Sequence, residues 1–217
     1  MLHVSGINLV DDYGTKVYLK GIQVHRNTLI ATETFHEDDV AMIKSYGGNV
    51  IEFQGSLFFD VMPQRNEVDM SYFVNYLDNW VSWCEKHKVH YIISTGWFVY
   101  FDYNSPTTQH IPEWFWKDLG YASPYSDDVG DAQARINHAR IIKDFYDPTV
   151  AIQEQNRQAW VNAWKFIANR YKNNQYALFG LLNEQFWDIH KLPEATEAMA
   201  QQFCVNYNTL MRRAIDG

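Results

Sequence analysis

Residues 175–190 read QYALFGLLNEQFWDIH. An apolar run from Tyr176 to Leu182 ends on Asn183 and Glu184, and Phe186 and Trp187 follow at once. A carboxylate delivered by the end of a buried strand into a ring of aromatics is desolvated. Desolvation raises its pKa and fits it for general acid work near neutral pH. The adjacent amide can hold a substrate hydroxyl. Other chemistries find less support. His87 and His90 straddle a helix-to-strand junction and need not share a face, and no H-E-x-x-H set occurs, so no metal site is expected. No Ser or Cys stands in a G-x-S-x-G elbow. No cofactor is expected either.

A carboxylate at such a place needs strands to carry it. The reading from the N-terminus begins with two short strands around the turn signal Asp11-Asp12-Tyr13-Gly14, a hairpin cap over residues 1–20. A strand over Ile22–Val24 ends at His25-Arg26. Thr34 followed by Glu37 fits a capping box, and the helix it opens stops at Gly47-Gly48. The strand NVIEF follows. Ser71 is read as the cap of a helix whose apolar face holds Phe73, Tyr76, Leu77, Trp80, Val81 and Cys84. The strand VHYIIS follows it and leads to Thr95-Gly96-Trp97.

Residues 95–148 read as a long aromatic-rich loop insertion, with AQARINHARIIKDF as a helix inside it. Loops of that length inside a domain are usually functional. A longer helix covers about Ala151–Tyr171, with Trp160, Ala163, Trp164, Ile167 and Tyr171 as its buried stripe. YALFGLL is the fourth strand of the series, and Pro193 is read as the first residue of a last helix running to about Arg213. The order is a hairpin and then strand–helix four times. Such alternation implies an α/β fold with parallel strands. A doubly wound sheet and a (β/α)8 barrel both satisfy it. No glycine-rich phosphate loop follows the first strand, where HRNTLIATETF stands, and this counts against a dinucleotide fold.

Composition narrows the partners. The chain has 217 residues, 47% hydrophobic and 20% charged, which suits one globular domain. A net charge of −8 disfavours nucleic acid, which needs clustered cations. No apolar stretch approaches the length of a membrane span. The N-terminal MLHVSGINLV carries no leader-like pattern, and localisation stays open. Cys84 and Cys204 are far apart, lie in predicted helices and read as two buried thiols.

Four segments carry a resemblance to glycoside hydrolase family 5, the cellulase and mannanase family of (β/α)8 barrels. They are VSGINLVDDYGTKVYLKGIQV, HEDDVAMIKSYGGNVIEF, YLDNWVSWCEKHKVHYIIS and FYDPTVAIQEQNRQAWVNAWKFIANRYKNNQYALFGLLNE. The resemblance implies a barrel with its active site at the C-terminal ends of the strands. It implies Glu184 as acid/base and Asn183 as contact to the sugar 2-hydroxyl. His25, Trp97, Trp187 and Trp114 become candidate substrate contacts, the indoles as stacking surfaces for sugar rings. It further implies a retaining mechanism on β-linked polysaccharides or oligosaccharides, which requires a second carboxylate as nucleophile.

The sequence departs from the family in three places. MRRAIDG ends near where a fifth strand would begin, so the seventh-strand nucleophile has no position in these residues. The expectation is therefore the N-terminal half of a barrel, inactive alone, which self-associates or pairs with a complementing C-terminal half. Glu52 stands where the family has Arg, and Thr95-Gly96 where it has His. Glu52 lies toward the nucleophile or away from it according to strand register. These departures also fit a non-catalytic, carbohydrate-binding barrel.

Overall fold

The structure is a computed structural model that describes residues 2–25, 35–54, 62, 64–94, 112–126, 131–181 and 191–216, without the side chains of His25 and Tyr72. The chain divides into two compact units: residues 1–55, 70–95 and 168–180 form the first, and residues 56–69, 96–167 and 181–217 the second.

In the first unit, β1 (His3–Ser5) and β2 (Asn8–Val10) pair antiparallel across Gly6, whose φ of +60° suits glycine. The turn read at Asp11–Gly14 is a second one. The Asp11 carboxylate accepts from the Tyr13 and Thr15 amides, each at 2.9 Å, and the chain returns so that the Val17 amide donates to the Leu9 carbonyl.

The central sheet has four strands in the order β3 (Gly21–His25), β4 (Val50–Gln54), β5 (His90–Ser94) and β6 (Ala177–Gly180). All its pairings are parallel. Spatial order follows chain order without the reversal that defines a doubly wound sheet. Between the strands lie α1 (Glu37–Ser45) and α2 (Asp78–His87), the latter entered through a helical turn at Met70–Tyr72 and a π-helical stretch at Phe73–Leu77. Phe53 of β4 packs on Trp80 of α2 with ring centroids 5.2 Å apart, and Phe35 meets both edge-on. Ile51, Phe53, Tyr91 and Ile93 therefore form the helix-facing side, each 4% exposed or less. Burying such side chains contributes roughly 1.5–3 kcal/mol each.

Two helix starts differ from the sequence reading. The cap of helix α1 lies two residues after the expected one: the Asp39 carboxylate accepts from the His36 backbone amide at 2.7 Å, so the reciprocal box uses His36 and Asp39. Thr34 lies outside the described residues. Ser71 sits inside the helical turn at Met70–Tyr72 rather than ahead of it. The stop at Gly47-Gly48 is present. Gly47 has φ of +83°, and a Cβ on Gly48 would fall 2.6 Å from the Ile43 Cγ2.

The second unit is helical over its described part. It holds α3 (Glu113–Trp116), α4 (Ala132–Tyr146) and α6 (Glu197–Asp216), together with most of α5 (Glu154–Tyr171). The described portion of the expected loop insertion is thus mainly helix. Asp131 caps α4 by accepting from the amides of Gln133 and Ala134. The predicted α5 stripe is buried throughout, with Trp160 and Ala163 fully inaccessible. Arg157, 1% exposed, donates to the carbonyls of Asp144, Phe145, Asp147 and Val150 and to Glu154, which fixes the α4–α5 connection.

The last helix begins at Glu197, four residues after Pro193. The Thr196 hydroxyl accepts from the Met199 amide there, a cap that outcompetes the proline signal. Cys84 is buried and its thiol is pushed up to about 12 by burial and the neighbouring Glu85, whereas Cys204 is exposed, against the expectation of two buried thiols. Among the described residues no helix is long and apolar enough to cross a membrane.

Candidate active site

The parallel register brings His25, Gln54, Ser94 and Gly180 level at the C-terminal ends of the four strands. This is the end of an open α/β sheet where ligands gather. Side chains alternate faces along a strand. Because Phe53 faces the helices, Glu52 and Gln54 take the opposite face, along with Gln23, Ile92 and Ser94 in neighbouring strands. The register thus settles which way Glu52 points: away from the helices, on the side that carries the polar residues. Glu52 is half-buried, and Gln54 and Ser94 are each 4% exposed.

Gln54 matters because its Nε2 is buried without a hydrogen-bond partner among the described residues. Leaving such a donor unpaired costs about 1–3 kcal/mol, so the fold alone does not account for a glutamine there. Gly180 keeps the neighbouring position small. A Cβ on it would approach Ser94 Cβ and Ile92 Cγ2 to 3.3 Å. Sequence reading gave Gln54 no role and passed over Ser94 in favour of Thr95. The signal for Gln54 was the period-two alternation of polar and apolar residues in IEFQ; HYIIS, with Ile92 on the face of Ser94, carries no such signal.

Of the expected site residues, His25 is placed at its strand end by backbone register. Its side chain lies outside the described residues, as do Trp97, Asn183, Glu184 and Trp187. Trp114 belongs to the second unit, where it is 7% exposed. The Arg65 guanidinium lies 5.2 Å from its ring centroid and donates to its carbonyl. Among the described residues no group of His, Cys, Asp and Glu side chains could hold a metal ion.

Comparison with protein-family models and with characterised proteins finds no match. Solved structures do match. Endo-glycoceramidase II from Rhodococcus sp., in complex with a five-membered iminocyclitol, aligns with a TM-score of 0.70 and 20% identity over 95% of this chain and 46% of that one. An endogalactoceramidase aligns with a TM-score of 0.67 and 18% identity over 98% of this chain and 50% of that one. An exo-β-1,4-mannosidase from Opitutaceae bacterium strain TAV5 aligns with a TM-score of 0.57 and 16% identity over the whole of this chain and 33% of that one. The structural neighbours are glycoside hydrolases. The likeness is one of fold, and the chain spans a third to a half of their length.

Proposed function

We propose that the chain is the N-terminal part of a retaining glycosidase barrel of the family 5 type, acting on β-linked glycans. The observation that carries this reading is the level row of four parallel strand ends, with Asn183 and Glu184 three and four residues beyond Gly180. Glu184 serves as acid/base: it protonates the leaving glycosidic oxygen and later takes a proton from water. Asn183 holds the sugar 2-hydroxyl. His25, Gln54 and Ser94 supply polar contacts at the strand ends. Trp97 and Trp187, which follow strand ends, offer stacking surfaces, while Trp114 is employed in packing.

Retention needs a second carboxylate about 5–5.5 Å from the first, which this reading assigns to strands beyond β6. A neighbouring endo-glycoceramidase II structure is described as a lactosyl-enzyme intermediate, in keeping with covalent chemistry on such a scaffold. Those further strands would pair with the outer edges of β3 and β6, supplied by more of the same polypeptide, a second copy or a complementing half-barrel.

The test is turnover of β-glucan, β-mannan and a lactosyl ceramide by the full-length gene product beside its Glu184→Gln variant. The expected loss is about 10²- to 10⁴-fold in kcat. Unchanged turnover removes Glu184 from the mechanism. One observation favours a second, non-catalytic reading: Glu52 lies on the face away from the helices, where a carboxylate repels a nucleophilic carboxylate rather than steadying it. Calorimetric binding of oligosaccharide by the full-length protein, with no cleavage, would select that reading.

A further inference from the structure

A groove of about 950 Å³ opens in the first unit, between α2 and the turn that leads from α5 into β6. It lies by the N-terminal ends of β5 and β6, at the opposite end of those strands from Ser94 and Gly180. Its volume falls within the ~300–1,000 Å³ common for small-molecule sites.

One wall is rigid. Asp78 accepts from Arg170 through both carboxylate oxygens and from the Tyr171 hydroxyl at 2.7 Å. Burial pushes the Asp78 carboxyl up, but the hydrogen bonds from Arg170 and Tyr171 outweigh it and hold it below its usual value. The same face of α2 carries Glu85 further along, and Lys88 follows at its C-cap. Lys88 adopts φ of +54°, a left-handed conformation in which glycine would be cheaper. The charges balance: two carboxylates, Asp78 and Glu85, face two cations, Lys88 and Arg170.

On the segment facing α2 stand Asn173 and Gln175, both exposed, on a turn that does not need their side chains. Asn174 shapes that turn instead, its side-chain oxygen accepting from the Tyr176 amide at 2.9 Å. Tyr176, half-buried and 5.4 Å from the His90 ring, adds an aromatic surface. Amides offer donor and acceptor side by side, as vicinal hydroxyls do. A charge-balanced lining disfavours both anions and cations. Tyrosine supplies an apolar face for sugar C–H groups.

We propose that this groove is a binding site for a neutral saccharide, held by Asn173, Gln175 and Tyr176 against the α2 face that carries Asp78 and Glu85. The proposal stands whether or not Glu184 is catalytic, because the two places share no residue.

The test is amide shift mapping of the full-length gene product titrated with lactose and with cellobiose, with inorganic phosphate as the charged control. The expected result is saturable shifts at residues 170–176 and 85–88, with a dissociation constant on the order of millimolar. The Asn173→Ala/Gln175→Ala variant should weaken binding at least tenfold with an unchanged melting curve, and Glu184→Gln should leave the groove shifts as they were. Groove shifts that are absent for both sugars, or matched by phosphate, overturn the proposal. So does a double variant that binds as tightly as the parent. Should the double variant fold poorly, the shift map of the unaltered protein decides alone.

Discussion

Two buried polar sites, one in each unit, are satisfied to different degrees. In the second unit, Arg157 is sealed from solvent and saturated with backbone acceptors, and the Asn156 amide donates to the Phe115 carbonyl and to Gln153. Those groups hold a helical connection in place. In the first unit, Gln54 and Ser94 are almost as buried, yet Gln54 Nε2 has no partner among the described residues. A buried polar group that the fold satisfies is explained by the fold. One that it leaves unsatisfied at a strand end points to an occupant from outside.

That contrast can be broken by mutation. Arg157→Met should be the most damaging change, because it orphans several buried carbonyls at once. A loss of about 3–5 kcal/mol in the urea denaturation of the protein is expected. Asp78→Asn should cost less, about 1–2 kcal/mol, since the pair with Arg170 is partly exposed.

Asp78 also sets a pH dependence. Its folded-state pKa lies below the usual 3.8, so its stabilisation is present above that value and is lost as pH falls through the folded pKa. Melting curves below about pH 4 should therefore fall more steeply for the parent than for Asp78→Asn. Equal acid limbs would remove Asp78 from the account.

Gln54→Leu should change stability by no more than about 1 kcal/mol in either direction, because an apolar group of similar size replaces an unpaired donor. A cost matching that of Arg157→Met would erase the distinction between the two sites. The smallest effect is expected for Lys117→Ala, which breaks an exposed pair with Glu113 one helical turn away. Its effect on the melting midpoint should be barely measurable and should vanish in high salt.

Much of this architecture is legible in the sequence because period dictates it. The α5 stripe and the alternation in VIEFQ identify their elements directly, and helix boundaries such as Gly47-Gly48 follow from backbone sterics. Pro193 misleads because a favourable first-turn residue does not compel a helix when Thr196 offers a cap closer to the apolar face. Trp114 reads equally as a substrate contact and as a packing residue, since rings that pack and rings that bind have the same composition. Which face Glu52 takes depends on strand parity, and that parity is set by Phe53 meeting Trp80. The groove beside α2 is illegible in advance, because it joins residues about ninety positions apart.

The sheet has one practical consequence at the bench. Strands β3 and β6 stand at its margins, and Ile22 and Phe179 are 48% and 37% exposed there. Bare strand margins with apolar flanks act as templates for further chains. Concentrating a stock of the 217-residue protein should cloud it well before warming does. Static light scattering across a dilution series would show the onset, and a charged residue at position 22 or 179 should move it to higher concentration.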